Sequence, residues 1–386
     1  MNDAAMRIPQ AQLLSEVERR IEGKTTQLAQ RDARFGHDRV RVRSYMENIG
    51  WPELFGYDMN RYLTDAEFAI EQQLRQLIFW ADNVLDDTIP SLRMTADVGM
   101  YWDMTLFGMQ IRHSTSGMPD FLPHPFQHTF DPSTLGRFDF ATSGEMPSLL
   151  AKYQRMRQIV ADDYAGKIAV EFPRFHRGPL DIYVQIRGYE NFLDDSFDRP
   201  AELKDALIFL ADERFRFAEE RRKFLGEATL PDASFVADDW VNIPFITPTF
   251  FRETMAPVYA HIQQQEGPVT GFHTCGNFTA VAQDLLQVFP DIHRLEVSGW
   301  NDLRQLDPLV DARIHFDVAV INTVTLGDAV DEQREKLAAI RLARRHRAVG
   351  VCAQAIVKLY PTYEETIRRL NLFLCRAHQQ LAEGSD

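Results

Sequence analysis

Four residues in the second half of the chain have the side chains of a zinc site: His273, Cys275, Glu296 and Cys352. His273 and Cys275 follow an apolar stretch and precede an amphipathic one, a pattern that predicts a strand, a tight turn and a helix. Glu296 and Cys352 each close a short run of alternating or apolar residues, which predicts two more strand ends. Three strands would therefore bring these ligands to one rim.

Zinc takes thiolate sulfur, imidazole nitrogen and carboxylate oxygen in a tetrahedron, so the four residues would saturate it. The ligands are spread from position 273 to position 352 and are not paired as Cys-x-x-Cys hooks. If Glu296 leaves when a thiol or an ether oxygen arrives, the metal can act as a Lewis acid or hold a reactive thiolate. The His-x-Cys pair alone would also fit a buried histidine beside a small apolar cysteine, and Glu296 and Cys352 favour the metal.

The spacing of these residues resembles that of the methylcobalamin:coenzyme M methyltransferases, which belong to the uroporphyrinogen decarboxylase-like superfamily. His273-x-Cys275 is followed by Glu296 after 21 positions and by Cys352 after 77 positions, both counted from the cysteine. A similar His-x-Cys, Glu, Cys set serves in cobalamin-independent methionine synthase. Residues 178–180, 188–193, 238–240 and 250–259 also resemble segments of the superfamily, and the likeness runs from about position 55 to position 382.

This resemblance implies a TIM barrel, a bound Zn²⁺ and methyl transfer between a corrinoid cobalt and a zinc-activated partner. In the thiol direction a substrate thiolate attacks methylcobalamin, and in the ether direction reduced cobalt removes the methyl group of a methoxy oxygen. The chain has no Asp-x-His-x-x-Gly corrinoid hook, because residues 291–296 read Asp-Ile-His-Arg-Leu-Glu. We therefore expect cobalamin to arrive on a separate corrinoid-binding protein, with a small-molecule methyl donor or acceptor as the other partner.

Two acidic residues are expected at the same rim, because Asp238 and Asp239 follow a short predicted strand at residues 235–237. They are candidate catalytic residues, together with Glu296, that orient the substrate or supply a proton acid or base. The alternative is a helix N-cap and a solvated pair of carboxylates. Four aromatic residues would suit an aryl methyl ether substrate but would equally suit ordinary packing: Phe121, Phe126, Phe138 and Phe140.

The predicted fold class is α/β, a (β/α)8 TIM barrel with an N-terminal helical extension at residues 1–50 and the catalytic domain at residues 51–386. The first 34 residues carry a helical stripe of apolar side chains, and residues 64–67 and 362–365 resemble capping boxes. Residues 84–89 are predicted to form an early strand. Later strands are predicted at residues 168–172, 235–237 and 314–321, with helices at residues 179–193 and 200–224 between them.

Composition excludes several classes of function. The formal net charge of −14 and the isoelectric point near 5.3 argue against nucleic acid or an anionic membrane as the main partner. Three cysteines, two of them assigned to the metal, leave no disulfide framework. The sequence shows neither a signal peptide nor an apolar stretch that approaches the length of a membrane span. We expect a soluble, cytoplasmic protein.

Two other classes of function stay open. A metal-free decarboxylase of the uroporphyrinogen type would share the fold, but that enzyme relies on a motif of the Trp-Met-Arg-Gln-Ala-Gly-Arg kind. Here Arg39, Arg41 and Arg43 alternate with valine and lack this motif. A non-catalytic barrel stapled by zinc would instead have a closed metal site with no adjoining pocket.

Overall fold

The computed structural model describes residues 10–36, 39–115, 120–121, 124–128, 135–175, 177–230, 234–356 and 360–382. The strands are β1 (Arg41–Met46), β2 (Arg93–Thr95), β3 (Ile111–Arg112), β4 (Asp120–Phe121), β5 (Ala169–Glu171), β6 (Ser234–Ala237), β7 (Val269–His273), β8 (Arg294–Val297), β9 (His315–Val320) and β10 (Val349–Ile356). Helices follow most of them, so the α/β class is confirmed.

The helices are α1 (Gln10–Phe35), α2 (Gly50–Phe55), α3 (Met59–Thr64), α4 (Ala66–Asn83), α5 (Met146–Asp163), α6 (Pro179–Arg187), α7 (Tyr189–Asp198), α8 (Pro200–Leu225), α9 (Pro248–Phe250), α10 (Ala256–Glu266), α11 (Ala282–Val288), α12 (Leu303–Leu306), α13 (Asn322–Thr325), α14 (Val330–Ala343) and α15 (Tyr363–Ala382). A π-helical turn, Phe251–Met255, joins α9 to α10. None of the helices in the described part of the chain is both long and apolar enough to cross a membrane.

Six strands form one parallel sheet in the order β1-β10-β9-β8-β7-β6. The pairing register aligns His273 of β7 with Glu296 of β8, and Glu296 with Asp317 of β9. Side chains alternate between the two faces of a strand. Leu295 and Phe316, which immediately precede Glu296 and Asp317, are buried. The three polar residues therefore share the face opposite to the apolar side chains.

Two of the remaining strands, β2 and β5, extend this order in the sense of a (β/α)8 barrel, whereas β3 and β4 form a separate antiparallel pair. β2 and β5 form a parallel pair, and a parallel bridge joins Arg177, which follows β5, to Ala237 at the end of β6. No strand pairing among the described residues joins β1 to β2, so a closed ring of strands is not observed. The parallel sheet and its helices are compatible with a TIM-barrel-like fold, and closure of the barrel stays a prediction.

The prediction of an early strand at residues 84–89 was wrong, because this segment forms no strand. This segment lies beside β1 as an irregular chain whose carboxylates accept hydrogen bonds from the β1 backbone: Asp87 from Val42 N at 2.9 Å and Asp86 from Ser44 N at 3.0 Å. The carboxylates take the place of strand carbonyl groups along part of β1. β1 itself lies within residues 1–50, so the sheet includes part of the segment that was predicted as a helical extension.

The predicted helices agree well with the structure. α1 buries Leu13, Leu14 and Val17 as the apolar stripe requires. α4 begins one residue later than expected, because Asp65 and not Thr64 is the N-cap that accepts from Phe68 N, at 3.0 Å. Residues 179–193 are two helices, since Gly188 adopts a φ of 90° and ends α6 before α7 begins.

Asp87 anchors the irregular segment to the N-terminal part of the chain. Arg39 donates two hydrogen bonds to its carboxylate, at 2.6 and 2.8 Å, and Arg31 donates a third at 2.9 Å. Burial alone would raise the pKa of Asp87, but the hydrogen bonds from Arg39 and from the Val42 backbone outweigh it and lower the pKa to about 2. The carboxylate is therefore more stable in the folded chain than in the unfolded one.

We expect Asp87→Asn to lower the free energy of unfolding at pH 7 by about 3 kcal/mol, because it removes the buried carboxylate charge that pairs with Arg31 and Arg39 and leaves Arg39 with Asp32 alone. Since the folded pKa lies below the unfolded value of 3.8, the contribution of Asp87 is complete above pH 4 and is lost as the pH falls towards 2. The variant should lose less stability than the native protein across that interval. Urea unfolding at pH 7, 4 and 2.5 would measure this, with the exposed Asp331→Asn as a control. Equal pH dependence in both variants would contradict the assignment.

Candidate functional site

The candidate site lies at the carboxyl ends of β6, β7 and β8. His273 is the last residue of β7 and Cys275 follows two positions later, while Asp239 follows the end of β6 by two positions. Neighbouring parallel strands end at the same edge of a sheet, which is where barrel enzymes hold their catalytic groups. The strand ends therefore bring the three side chains together.

Three ligand-type atoms converge in this place. His273 Nε2 lies 3.3 Å from Cys275 Sγ and 3.3 Å from Asp239 Oδ1. The ligand atoms of the three residues all lie within 4.8 Å of one another. One nitrogen, one sulfur and one oxygen form a donor set of the kind that zinc accepts. Asp239, which was predicted as a catalytic acid or base, is thus placed among the candidate ligands.

Glu296 contacts the other nitrogen of the same imidazole ring. Its Oε2 lies 3.0 Å from His273 Nδ1, and its Oε1 accepts a hydrogen bond from Arg294 Nη2 at 2.9 Å. Nδ1 is buried and makes no well-directed hydrogen bond with the described residues. Both carboxylate oxygens of Glu296 are therefore engaged, on the side of the ring away from Cys275.

Arg294 and Glu296 belong to a network of charges that continues across the sheet face. Arg294 Nε donates to Asp317 Oδ2 at 2.5 Å, and Arg43 of β1 donates to Asp317 Oδ1 at 3.1 Å. Burial opposes ionisation of Asp317, but His315 and the two arginines lower its pKa to about 2. This network, which sequence reasoning missed, fixes the position of Glu296 and through it the His273 ring.

The charges of the site depend on one another. Burial disfavours a charged His273, but its close contacts with Asp239, Cys275 and Glu296 outweigh burial and raise the pKa of the imidazole well above its usual value. Burial likewise opposes ionisation of Asp239, and its bond with His273 lowers the pKa of this carboxyl. Burial raises the pKa of the Cys275 thiol. The interaction of His273 with Asp239 thus favours the protonated ring and the ionised carboxylate together.

Cys352, the fourth predicted ligand, lies in β10 and outside this three-residue group. It pairs in register with Ala319 of β9 and Arg43 of β1, on the sheet face that carries Asp317. Burial raises the pKa of its thiol to about 11. His273 therefore contacts both Cys275 and Glu296, but Glu296 and Cys352 both lie outside the three-residue group, so their roles as ligands stay predictions.

The turn after β7 is held rigidly. Asn301 Nδ2 donates to Gly276 O at 3.1 Å, and Ser298 Oγ donates to Cys275 O at 2.7 Å. A Cβ atom at Gly276 would lie 2.0 Å from Asn242 Cγ, so only glycine permits this close approach. The backbone that presents Cys275 is therefore fixed by side chains from the loops that follow β6 and β8.

Asp238 has a different environment from Asp239. It is fully buried and accepts hydrogen bonds from Asp181 N at 2.7 Å, from Leu180 N at 3.3 Å and from Tyr259 Oη at 3.0 Å. Burial, assisted by the charge of Asp181, raises the pKa of Asp238 to about 8. A Cβ at Gly178 would lie 2.2 Å from its Oδ2. These contacts anchor the first turn of α6 from outside the helix, whose own N-cap residue is Gly178, and the complete burial of Asp238 does not fit a solvated pair of carboxylates.

The aromatic side chains near the site are not those considered from the sequence. Phe138 is buried, and Phe140 packs 5.4 Å from Phe217 between ring centroids, while the Phe121 side chain lies outside the described residues. Trp240, which follows Asp239, instead stacks on Tyr189 with ring centroids 5.0 Å apart. The packing alternative therefore fits Phe138 and Phe140.

Comparisons with known proteins give a match at the level of structure. No protein-family profile and no curated protein sequence matches the chain. Among solved structures, the chain is similar to a methyltransferase from Methanosarcina mazei, with a TM-score of 0.59 and 16% sequence identity over 88% of this chain and 94% of that one. At this identity the likeness shows a shared fold, which agrees with the α/β architecture described above.

Proposed function

We propose that the protein is a zinc-dependent methyltransferase that moves a methyl group between a corrinoid and a thiol or methoxy-bearing small molecule. The observation that carries this proposal is the convergence of Asp239, His273 and Cys275 at the carboxyl ends of the strands. The likeness in fold to a methyltransferase supports it. The corrinoid is proposed to arrive on a separate protein, since the sequence lacks a corrinoid hook.

The residues present fit a zinc ion in donor type and in placement. Asp239, His273 and Cys275 would hold it, and Cys352 or a substrate atom is proposed to complete the set. When bound there, zinc supplies Lewis acidity toward a thiol sulfur or an ether oxygen. Nε2 of His273 is the ring nitrogen that faces Cys275 and Asp239, so it is the proposed ligand atom, while Nδ1 faces Glu296.

The protein's own groups would position the reaction. Asp239 Oδ1 accepts a hydrogen bond from the backbone N–H of Cys275 at 3.1 Å, and this bond fixes the turn that presents the thiol. Glu296 and Arg294 restrain the His273 ring from the other side. Cys275 must lose its proton and His273 must be neutral at its ligating nitrogen before both can bind a metal. Because Cys275 is exposed, these protons can leave to solvent when the metal binds.

The site opens to the surface, as transfer to a carrier on another protein requires. Cys275 is exposed, and two aromatic side chains in the loops that follow β6 and β8 are also exposed: Phe245 at 40% and Trp300 at 66%. A structural zinc site in a non-catalytic barrel would be closed to solvent, with its ligands buried. The exposed rim therefore favours the catalytic reading over the non-catalytic barrel.

The test is metal content followed by activity. Anaerobically purified protein should contain about one zinc per chain, measured by elemental analysis. It should then transfer the methyl group of methylcobalamin to a thiol, or demethylate an aryl methyl ether with cob(I)alamin. Zinc without either activity would favour the non-catalytic barrel. Absence of zinc would overturn the proposal and favour a metal-free lyase, and Cys352→Ala would show whether Cys352 is a ligand.

Glu296→Gln separates a ligand from a residue that positions one. Glu296 contacts Nδ1 of His273, the ring nitrogen that faces away from Cys275. We therefore expect Glu296→Gln to keep its full zinc content but to bind zinc about 10 to 100 times more weakly. Competition with a chelator of known affinity would measure this, with the exposed Glu335→Gln as a control. A folded variant that contains no zinc would instead make Glu296 a direct ligand, as the sequence predicted.

A further inference from the structure

A cavity lies at the opposite end of the sheet from the candidate metal site. Its volume is about 110 Å³, and it is enclosed by α8 and the chain that follows it, by the chain after β5, by the amino end of β6 and by the last residue of α10. Ser234 begins β6, whereas Asp239 follows its carboxyl end. Nothing in the proposed methyl transfer uses this cavity.

The inner part of the cavity wall is aromatic. Phe175 and Phe217 are buried, Phe235 is partly buried, and all three line the cavity. Flat apolar surfaces of this kind favour packing against another ring. An apolar cavity of about 150 Å³ can hold benzene. The smaller cavity of this protein, which opens to the surface beside Arg174, therefore has room for one small ring and no more.

The polar part of the wall carries three arginines and two glutamates, so one positive charge is in excess: Arg174, Arg214, Arg221, Glu227 and Glu266. One pair of these charges is closed, because Arg214 Nη2 lies 3.0 Å from Glu266 Oε2 and the two side chains are only 5% and 10% exposed. Their charges offset each other. The excess charge therefore belongs to Arg174 and Arg221.

Arg221 is only loosely paired with a carboxylate. Its Nε and Nη2 donate to the carbonyl oxygens of Pro173 and Phe172 at 3.3 and 3.2 Å. Its Nη1 lies 3.5 Å from Glu227 Oε2, and the Arg221 side chain is 12% exposed, against 42% for Glu227. Burial lowers the pKa of the Arg221 guanidinium, Glu227 opposes this effect, and the positive charge of Arg174 adds to it. The neighbouring groups therefore compensate the buried charge of Arg221 incompletely.

Arg174 brings a second guanidinium to the opening of the same cavity. It is exposed, and it makes no ion pair with any other residue in the described part of the chain. Guanidinium groups bind carboxylates through charge-assisted hydrogen bonds. From the aromatic inner wall and the two arginines at the opening, we infer that this cavity binds an aromatic carboxylate with a single ring. The ring packs against Phe175 and Phe217, and the carboxylate pairs with Arg174 and Arg221.

Three probes of similar shape and different charge test the inference on the full-length protein. Titration followed by ligand-detected NMR should show that benzoate binds about tenfold or more tightly than benzamide, with benzamidinium weakest. Arg174→Gln should remove most of this preference and should fold normally, because Arg174 is exposed. Arg334→Gln makes the same change of charge on the exposed face of α14 and should leave the preference unchanged. Circular dichroism would confirm that each variant is folded.

Glu227→Gln tests the same pair of arginines with the opposite sign. It removes the carboxylate charge nearest to Arg221, so benzoate should bind about threefold or more tightly, while benzamide binding should stay unchanged. Weaker benzoate binding in Glu227→Gln would contradict a site that selects its ligand by negative charge.

Zinc also accepts carboxylate ligands, so the place of binding needs its own test. Ala218→Leu fills the cavity from α8 and should weaken benzoate binding about tenfold or more. Cys275→Ser, which disables the proposed metal site at the other end of the sheet, should leave benzoate binding unchanged. Loss of benzoate binding in Cys275→Ser would place the ligand at the metal site and overturn the inference. Equal binding of benzoate and benzamide, or a preference that Arg174→Gln does not alter, would also overturn it.

Discussion

Cys275→Ser should abolish both zinc binding and methyl transfer. The substitution replaces a thiolate ligand with a hydroxyl group that stays protonated at neutral pH, so the zinc content should fall from about one to below about 0.1 per chain. Losing the metal removes several kcal/mol of charge stabilisation from the transition state, which corresponds to a rate loss of roughly a thousandfold or more. Elemental analysis and a methylcobalamin-to-thiol assay on the same preparation would measure both effects.

Cys375→Ser is the matched control, because Cys375 is exposed on α15 and belongs to no candidate metal group among the described residues. It should keep the native zinc content and the native rate. Cys275 lies in a turn held by Ser298 and Asn301, so the serine variant should also keep its fold. Full zinc content in a folded Cys275→Ser protein would refute the proposed metal site.

The local part of the site could be predicted from the sequence. His273 and Cys275 are two residues apart at the end of one strand, so their proximity follows from the chain itself. Glu296 lies on the adjacent strand, and its position depends only on the register of β7 and β8. Asp239 was expected at the same rim, but its place beside His273 Nε2 depends on the turn after β6. No pattern in the sequence specifies the direction in which that turn points its two carboxylates.

In the fold, too, elements that depend on nearby residues could be predicted from the sequence, and elements that depend on residues far apart in the chain could not. Helices with strong apolar stripes, such as α1 and α15, were predicted because 3.6-residue periodicity is visible in the sequence alone. β1 was missed because one of its faces carries Arg41 and Arg43, whose partners Asp32 and Asp317 lie in α1 and β9. Residues 84–89 have the apolar content of a strand, but Asp86 and Asp87 bind the β1 backbone through their side chains instead.

Asp238→Ala should be among the most destabilising single substitutions in the protein. It would leave the backbone N–H groups of Leu180 and Asp181 and the hydroxyl of Tyr259 without their partner in a fully buried place. Unsatisfied buried groups cost about 1–3 kcal/mol each, and partial relaxation of α6 should reduce the total to about 3 kcal/mol. Equilibrium unfolding in urea, followed by circular dichroism, would measure the difference.

Asp238→Asn distinguishes hydrogen bonding from charge at this position. The amide oxygen can still accept from Asp181 N, and the Tyr259 hydroxyl can reverse its role and accept from the amide N–H, but Leu180 N, which donates to Oδ2, loses its acceptor. The variant should therefore lose about 1–2 kcal/mol, less than Asp238→Ala. If Asp238→Asn is destabilised as strongly as Asp238→Ala, a negative charge is required there and hydrogen bonding alone does not explain the role of Asp238. If neither variant is destabilised, then Asp238 does not anchor α6, and a role in the reaction becomes the better explanation for a carboxyl group adjacent to Asp239.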